Sequence, residues 1–276
     1  VTELFHRIAI VTIENKTDDS RQFEGLRVTF DIDKNSGPDA NTAKISVYNL
    51  NAKSRGFVEN EGLRITLAAG YEGIRRDMPL IKRLFSGDVK KVKTEKSGPD
   101  FITTFEGGDS EDKIKNTIVN EAFQNGIKVR AVLNLLGRRL GVAKVSIEDV
   151  SDEDYISGIV LAGPVREYLD FVTRKEGLIW NIQDNKLIVK APNRKKENEA
   201  IVVNSETGLV NTIIKTAEGV EFESLLNPLI APNETIRLES KLPDSTFAPG
   251  FFVAQKCQYT GDTRGGNYRV KVEATS

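Results

Sequence analysis

His6 is the sole histidine of the chain and Cys257 its sole cysteine, so most common ways of building a reactive centre are closed. Ser-His-Asp and Cys-His catalysis need an imidazole beside the nucleophile, and zinc cages need several thiolates or imidazoles. His6 lies in a terminal segment and reads as a surface residue. Cys257 stands between Lys256 and Gln258 in a strand-like run; basic neighbours can lower a thiol pKa, but a single thiol in a strand reads as packing. Carboxylates remain. Asp152, Glu153 and Asp154 are the densest group. If extended, they set Asp152 and Asp154 on one face, the raw material of an acid pair for glycoside hydrolysis; the same residues also read as a solvated loop. The stretch 107–112 lacks the ligand spacing of a calcium loop and reads as a helix entry, with Asp109 or Ser110 capping and Glu111 and Asp112 in the first turn. Lys82, Arg83, Lys90, Lys91, Lys93 and Lys96 form the one basic cluster. They could meet an acidic partner or nucleic acid, but only Phe85 is interleaved with them as a stacking group, and the cluster reads as a solvated strand face. No phosphate loop, dinucleotide loop or nucleophile elbow is present. No catalytic, cofactor-binding or metal residue is assigned, no cofactor is expected, and a structural or binding role is favoured over an enzyme.

The elements that carry these residues are mostly strands. Residues 7–13 are β-branched, and 26–33 alternate strictly, with Leu26, Val28, Phe30 and Ile32 on one face. The runs 43–50, 63–71, 84–92 and 100–105 repeat the pattern, and 51–58 is too short for more than a helical turn. Six alternating strands at short spacing suggest a small closed or nearly closed barrel over 1–106. From 107 to 199 the chain is mixed. Val129, Leu133, Leu136 and Leu140 line one helical face before Gly141, and Gly163-Pro164 opens a second helix closed by Gly177. A hairpin at 178–190 and the polar connection 193–199 follow. Strands resume over 200–276, read as a second barrel-like module. Within it, Leu225 to Asn233 holds two prolines four residues apart with apolar flanks. It must turn, it is expected to be pinned against a core, and it should set 234–238 against 251–253. The fold class is therefore α+β, mainly β, with two small β-barrel modules flanking a mixed α/β middle.

Composition bounds the setting. At 276 residues, with 39% hydrophobic and 29% charged side chains, the chain has a core to bury and is neither disordered nor built of membrane helices. No signal-peptide pattern opens it, so synthesis in a cytoplasm is expected. Its net charge of -1 offers no overall field toward nucleic acid or anionic lipid. Neither a membrane nor sequence-specific nucleic acid is expected as a partner.

Several segments together resemble the baseplate or tail-tip hub proteins of tailed bacteriophages and phage-tail-like particles. They are 41–50, Leu67-Ala68-Ala69-Gly70-Tyr71, Phe85-Ser86-Gly87-Asp88-Val89, Gly177-Leu178-Ile179-Trp180, Leu226-Asn227-Pro228 and Tyr259-Thr260-Gly261-Asp262-Thr263. They stand in the family's order and span most of the chain. The resemblance implies a homotrimer with two barrels per chain in a pseudo-sixfold ring. That ring would join a six-fold tail tube to a three-fold central spike or fibre in the virion's tail tip. Its implied partners are the tube protein, the spike or tail fibre protein and the tape measure protein. Some relatives carry a wall-degrading module for which three modules leave no spare length here. Two alternatives stand beside it: a distal tail or tube-initiator protein, which implies a hexamer, and a carboxylate-dependent cell-wall glycosidase using Asp152 or Asp154.

Overall fold

The computed structural model describes residues 6–16, 19–59, 63–73, 80–109, 111–151, 155–210, 213–239 and 249–276. The chain opens with β1 (Arg7–Glu14), β2 (Ser20–Phe23), β3 (Val28–Asn35), β4 (Thr42–Tyr48), α1 (Ala52–Val58), β5 (Arg64–Tyr71), β6 (Leu80–Ser97) and β7 (Asp100–Gly108). Next come α2 (Glu111–Asn116), β8 (Ile118–Phe123), β9 (Ile127–Lys128), α3 (Val129–Leu140), β10 (Lys144–Ile147), β11 (Tyr155–Ile156), β12 (Ile159–Pro164), α4 (Val165–Lys175), β13 (Ile179–Gln183) and β14 (Lys186–Lys190). A 3-10 turn at Glu197–Glu199 leads into β15 (Ile201–Val203), β16 (Ile214–Lys215), β17 (Gly219–Leu225), β18 (Thr235–Leu238), β19 (Gly250–Asp262) and β20 (Tyr268–Thr275). Among the described residues 53% are strand and 15% helix, so the class is mainly-β α+β.

By contacts the chain divides into two compact units. The first gathers 1–35, 42–108 and 195–276, so the ends expected as separate modules, 1–106 and 200–276, contribute to one unit. Its 13-stranded sheet runs β16-β17-β20-β19-β3-β4-β7-β6-β5-β1-β2, with β18 on β19 and β15 on β18. This path has two ends, so the expected barrels do not close. The reason is the antiparallel ladder from Lys256↔Asn35 to Asp262↔Thr29, which spends the edges of β3 and β19 on each other. Alternation then sorts the faces. Val28, Phe30 and Ile32 of β3, Ile45 and Val47 of β4, Phe105 of β7, Tyr259 of β19 and Val270 and Val272 of β20 all enter one core.

A hydroxyl group ties the two stretches of this sheet where no ladder joins them. Tyr268, 1% exposed, donates to the Ile8 carbonyl at 2.7 Å and accepts from the Gly70 N–H at 3.1 Å, and its ring meets Tyr71 and Phe30 edge-on. Burial pushes the Tyr268 phenol pKa well above its ordinary value. Arg7 lies over the same ring and donates to the carbonyls of Asp262, Gly265 and Gly266.

The double-proline turn is pinned as its apolar flanks require. Leu226 and Ile230 are fully buried. The Asn227 side chain accepts from the Leu229 N–H at 3.0 Å, and the Tyr259 hydroxyl donates to the Ile230 carbonyl at 2.6 Å. Beyond it, Thr235, Ile236 and Arg237 pair with Val253, Phe252 and Phe251. The segment expected to hold at most one helical turn forms the seven-residue α1, because the Asn51 side chain caps the Ser54 N–H at 2.8 Å.

The second unit holds 36–41 and 109–194 around its own core. Helix α3 ends at Gly141, in the left-handed conformation at φ 67°. Gly137 lies so near β10 that a Cβ there would meet the Val145 side chain at 2.4 Å. Pro164 takes the N-cap position of α4, one residue earlier in the helix than expected. Helix α4 is anchored to β13 by the Trp180 indole N–H donating to Asp170 at 2.7 Å. The 36–41 loop is held by Asn181 donating to the Ser36 carbonyl and Asn41 donating to the Ile182 carbonyl.

Two outcomes follow for the first core. Tyr268→Phe leaves the Gly70 N–H without its partner in a buried site and should lower unfolding stability by ~1–3 kcal/mol, read by calorimetry; an unchanged melting temperature would show that the hydroxyl does not hold the sheet. Cys257 is fully buried and its thiol pKa is pushed up to about 12 by that burial. A disulfide reagent should therefore leave the native protein unmodified and titrate one thiol only after denaturation.

Candidate interaction surface

The side chains that could meet another molecule are ordered by the sheet of the first unit. On β17, β20, β19, β3, β4, β7 and β6, the residues between the buried ones point outward, and most of them are charged or hydroxylic. Register sets them in rows: Arg269 lies opposite Thr260, then Asp31, Lys44, Glu106 and Lys91. Read strand by strand, β17 presents Glu221 and Glu223, β20 Arg269 and Lys271 with Glu273 at its end, β3 Asp31 and Asp33, β4 Lys44, β7 Glu106, and β6 Lys91 and Lys93 with Glu95 beyond them. The sign alternates across the sheet, with a mixed β19 between β20 and β3.

The contacts follow this order. Lys271 meets Glu221 at 2.8 Å, Arg269 meets Glu223 at 3.3 Å, Lys256 meets Glu273 at 3.9 Å, and Lys44 meets Glu106 at 4.0 Å. Gln258 donates to Asp31 at 3.2 Å, and the Ser46 and Thr104 hydroxyls share a bond of 2.9 Å. Burial, then the like charge of Asp31, raises the Asp33 pKa. Burial also acts upward on Asp262, but the Arg27 guanidinium at 2.7 Å and the Arg264 N–H outweigh it and hold that carboxyl below its ordinary value. Exposed pairs of this kind contribute ~0.2–1 kcal/mol each.

The expected basic cluster lies on one strand but on two of its faces. Strand β6 pairs with β5 from Leu80 to Asp88 and with β7 from Asp88 to Ser97, with irregular register at Val89/Lys91. Lys91 and Lys93 point to the outer face beside Glu95, with which Lys93 makes an ion pair. Lys90 and Lys96 point the other way, and Lys82 and Arg83 belong to the β5-paired half. Alternation could separate odd from even positions in the sequence, but the change of partner strand inside β6 has no sequence mark.

The other singled-out residues fall apart from this surface or support the fold. His6 is exposed at the start of β1. Asp109 is buried, and its carboxylate accepts from the Asn185 N–H at 3.3 Å, so it braces a turn ahead of α2. Ser110 and Asp152, Glu153 and Asp154 lie outside the described residues. Among the described residues no three carboxylate, imidazole or thiol groups gather as a metal cage, and no helix is long and apolar enough to cross a membrane. A groove of about 430 Å³ beside β16 and β17, lined by Glu218, Glu221 and Glu273 among others, is a concavity that sequence reasoning missed. It forms only where β17, β20 and the 216–218 turn meet.

Among curated proteins none matches the sequence. Solved structures share the fold across nearly the whole chain. The 43 kDa tail protein of prophage MuSo2 from Shewanella oneidensis superposes with a TM-score of 0.66 at 9% identity, covering 96% of both chains. A tail protein from Neisseria meningitidis MC58 gives 0.66 at 10% identity, covering 97% of this chain and 96% of that one. The E. coli c3393 protein, a component of the type VI secretion system, gives 0.55 at 10% identity, covering 90% and 73%. The baseplate hub gp41 family matches residues 8–274, from the first strand of the sheet to the last, and the chain belongs to that family.

Proposed function

We propose that this chain is a structural, non-enzymatic hub of a phage tail, assembled as a homotrimer that joins a six-fold tail tube to a three-fold central spike or fibre. Family membership across 8–274 places the chain in the baseplate hub class, and a tail location in the virion follows from it. The observation that carries the finer reading is the grouping of strands. The segments 1–106 and 200–276 supply two adjacent four-strand groups, β3-β4-β7-β6 and β16-β17-β20-β19. Three chains would present six such groups, which is the number a six-fold tube asks of a three-fold partner. The two groups descend from opposite ends of the chain yet share one polar outer face, so a ring of them would present a continuous hydrophilic wall.

The E. coli type VI component is described as structurally similar to T4 tail proteins, and other neighbours are VgrG proteins solved in complex with PdpA. These support a hub whose partners include a tail tube protein and a spike or fibre protein, with the tape measure protein as a further neighbour inside the tube. Obligate rings of this kind bury ~2,000 Å² or more per contact, so the trimer should survive dilution. Light scattering coupled to size exclusion, alone and with tube and spike proteins added, should report three chains. Six chains would favour a tube initiator, and a persistent monomer that binds neither partner would overturn the hub.

A further inference from the structure

The polar sheet face is open at both of its ends, and the two ends differ. At one end β6 runs past its last pair with β5, Arg64↔Asp88, and among the described strands only β7 pairs with it from Lys91 to Ser97. Seven residues span about 23 Å of edge; its outer face bears Lys91, Lys93 and Glu95, with Lys96 on the other face, so the edge is net basic. At the other end β16 pairs only with β17 among the described strands, and Ile214 there is 57% exposed. Beside it Glu218, Glu221 and Glu273 line the groove of about 430 Å³. An unprotected edge invites strand pairing, and lysines on it discourage all partners except a complementary one.

Bringing two β6 edges together sets lysine against lysine, and bringing two β17 ends together sets glutamate against glutamate. Joining unlike ends instead continues the alternation of sign that runs across the sheet. We propose that the Lys91–Ser97 edge of one copy of this chain docks on the β16–β17 end of a second copy, with the outer-face Lys91 and Lys93 facing Glu218 and the acidic groove. The contact is heterologous, and such a contact repeats until its rotation closes a ring. The number of copies in that ring rests on the trimeric reading; the pairing of the two ends does not.

The test uses the full chain. Lys93→Cys with Glu218→Cys, treated with a short bismaleimide, should give covalent dimers and trimers, while each single-cysteine variant gives neither. Cys257 is fully buried and does not compete. In parallel, Lys91→Glu with Lys93→Glu, and separately Glu218→Lys, should each weaken self-association at least tenfold with unchanged circular dichroism. All three substitutions in one chain should recover most of it. A wild-type trimer whose association ignores both reversals, and whose cysteine pair does not link, overturns this contact and leaves the trimer standing. Efficient linking in an assembly of another copy number supports the contact and overturns the trimer. A chain that stays monomeric and unlinked overturns both.

Discussion

The antiparallel ladder between β3 and β19 is the constraint on which the rest of the first unit depends. It pairs residues 29–35 with residues 256–262, so its formation closes a loop of more than two hundred residues, at an entropic cost of about 5 kcal/mol. Backbone bonds along seven paired positions and the burial of Phe30, Ile32, Cys257 and Tyr259 offset that cost, at ~1.5–3 kcal/mol for each large apolar side chain. Once it forms, strands from both ends of the chain become neighbours in one sheet. Neither group can then close on itself as a barrel, because the edges that would close it are occupied.

The same ladder divides the chemistry of the sheet. Inside lie the apolar residues and the Tyr268 hydroxyl, which ties β20 to the paired residues Ile8 of β1 and Gly70 of β5, two strands with which β20 forms no ladder. Outside lie charges whose sign alternates from strand to strand. The inner face supplies stability; the outer face supplies little of it, since each exposed pair contributes a fraction of a kcal/mol to about one. The baseplate hub gp41 family to which the chain belongs spans this sheet from its first strand to its last.

The second unit is organised more locally. Its helices α3 and α4 pack on β10, β14 and β13, with Gly137 permitting the close approach of α3 to Val145. Its two-stranded ribbon of β8 and β12 leaves Ile118 and Val160 71% and 66% exposed. That outward apolar face is why the sequence did not announce these strands: alternation of apolar with polar residues is the mark of a half-buried strand, and a ribbon with apolar residues on both faces does not show it.

Taken by itself, the sequence determined the local conformations and the limits of the chemistry. The alternation of 28–35, 42–48 and 64–71, the left-handed Gly141 after a 3.6-residue stripe, and the pinned turn at Leu225 to Asn233 are all written in neighbouring residues, because each answers to forces acting within a few positions. The scarcity of histidine and cysteine bounds the chemistry in the same direct way. Only the tertiary structure decided which strands pair. Alternation states which face of a strand is buried and carries no information about its partner. So the joining of β3 to β19, the change of partner within β6 and the alternating rows of charge emerged only when long-range packing had chosen one register among many. The residues of the candidate surface were visible in the sequence as scattered lysines and glutamates; their order was not, because that order is set by which strands pair, and the β3–β19 pairing that joins its two halves links residues more than two hundred apart.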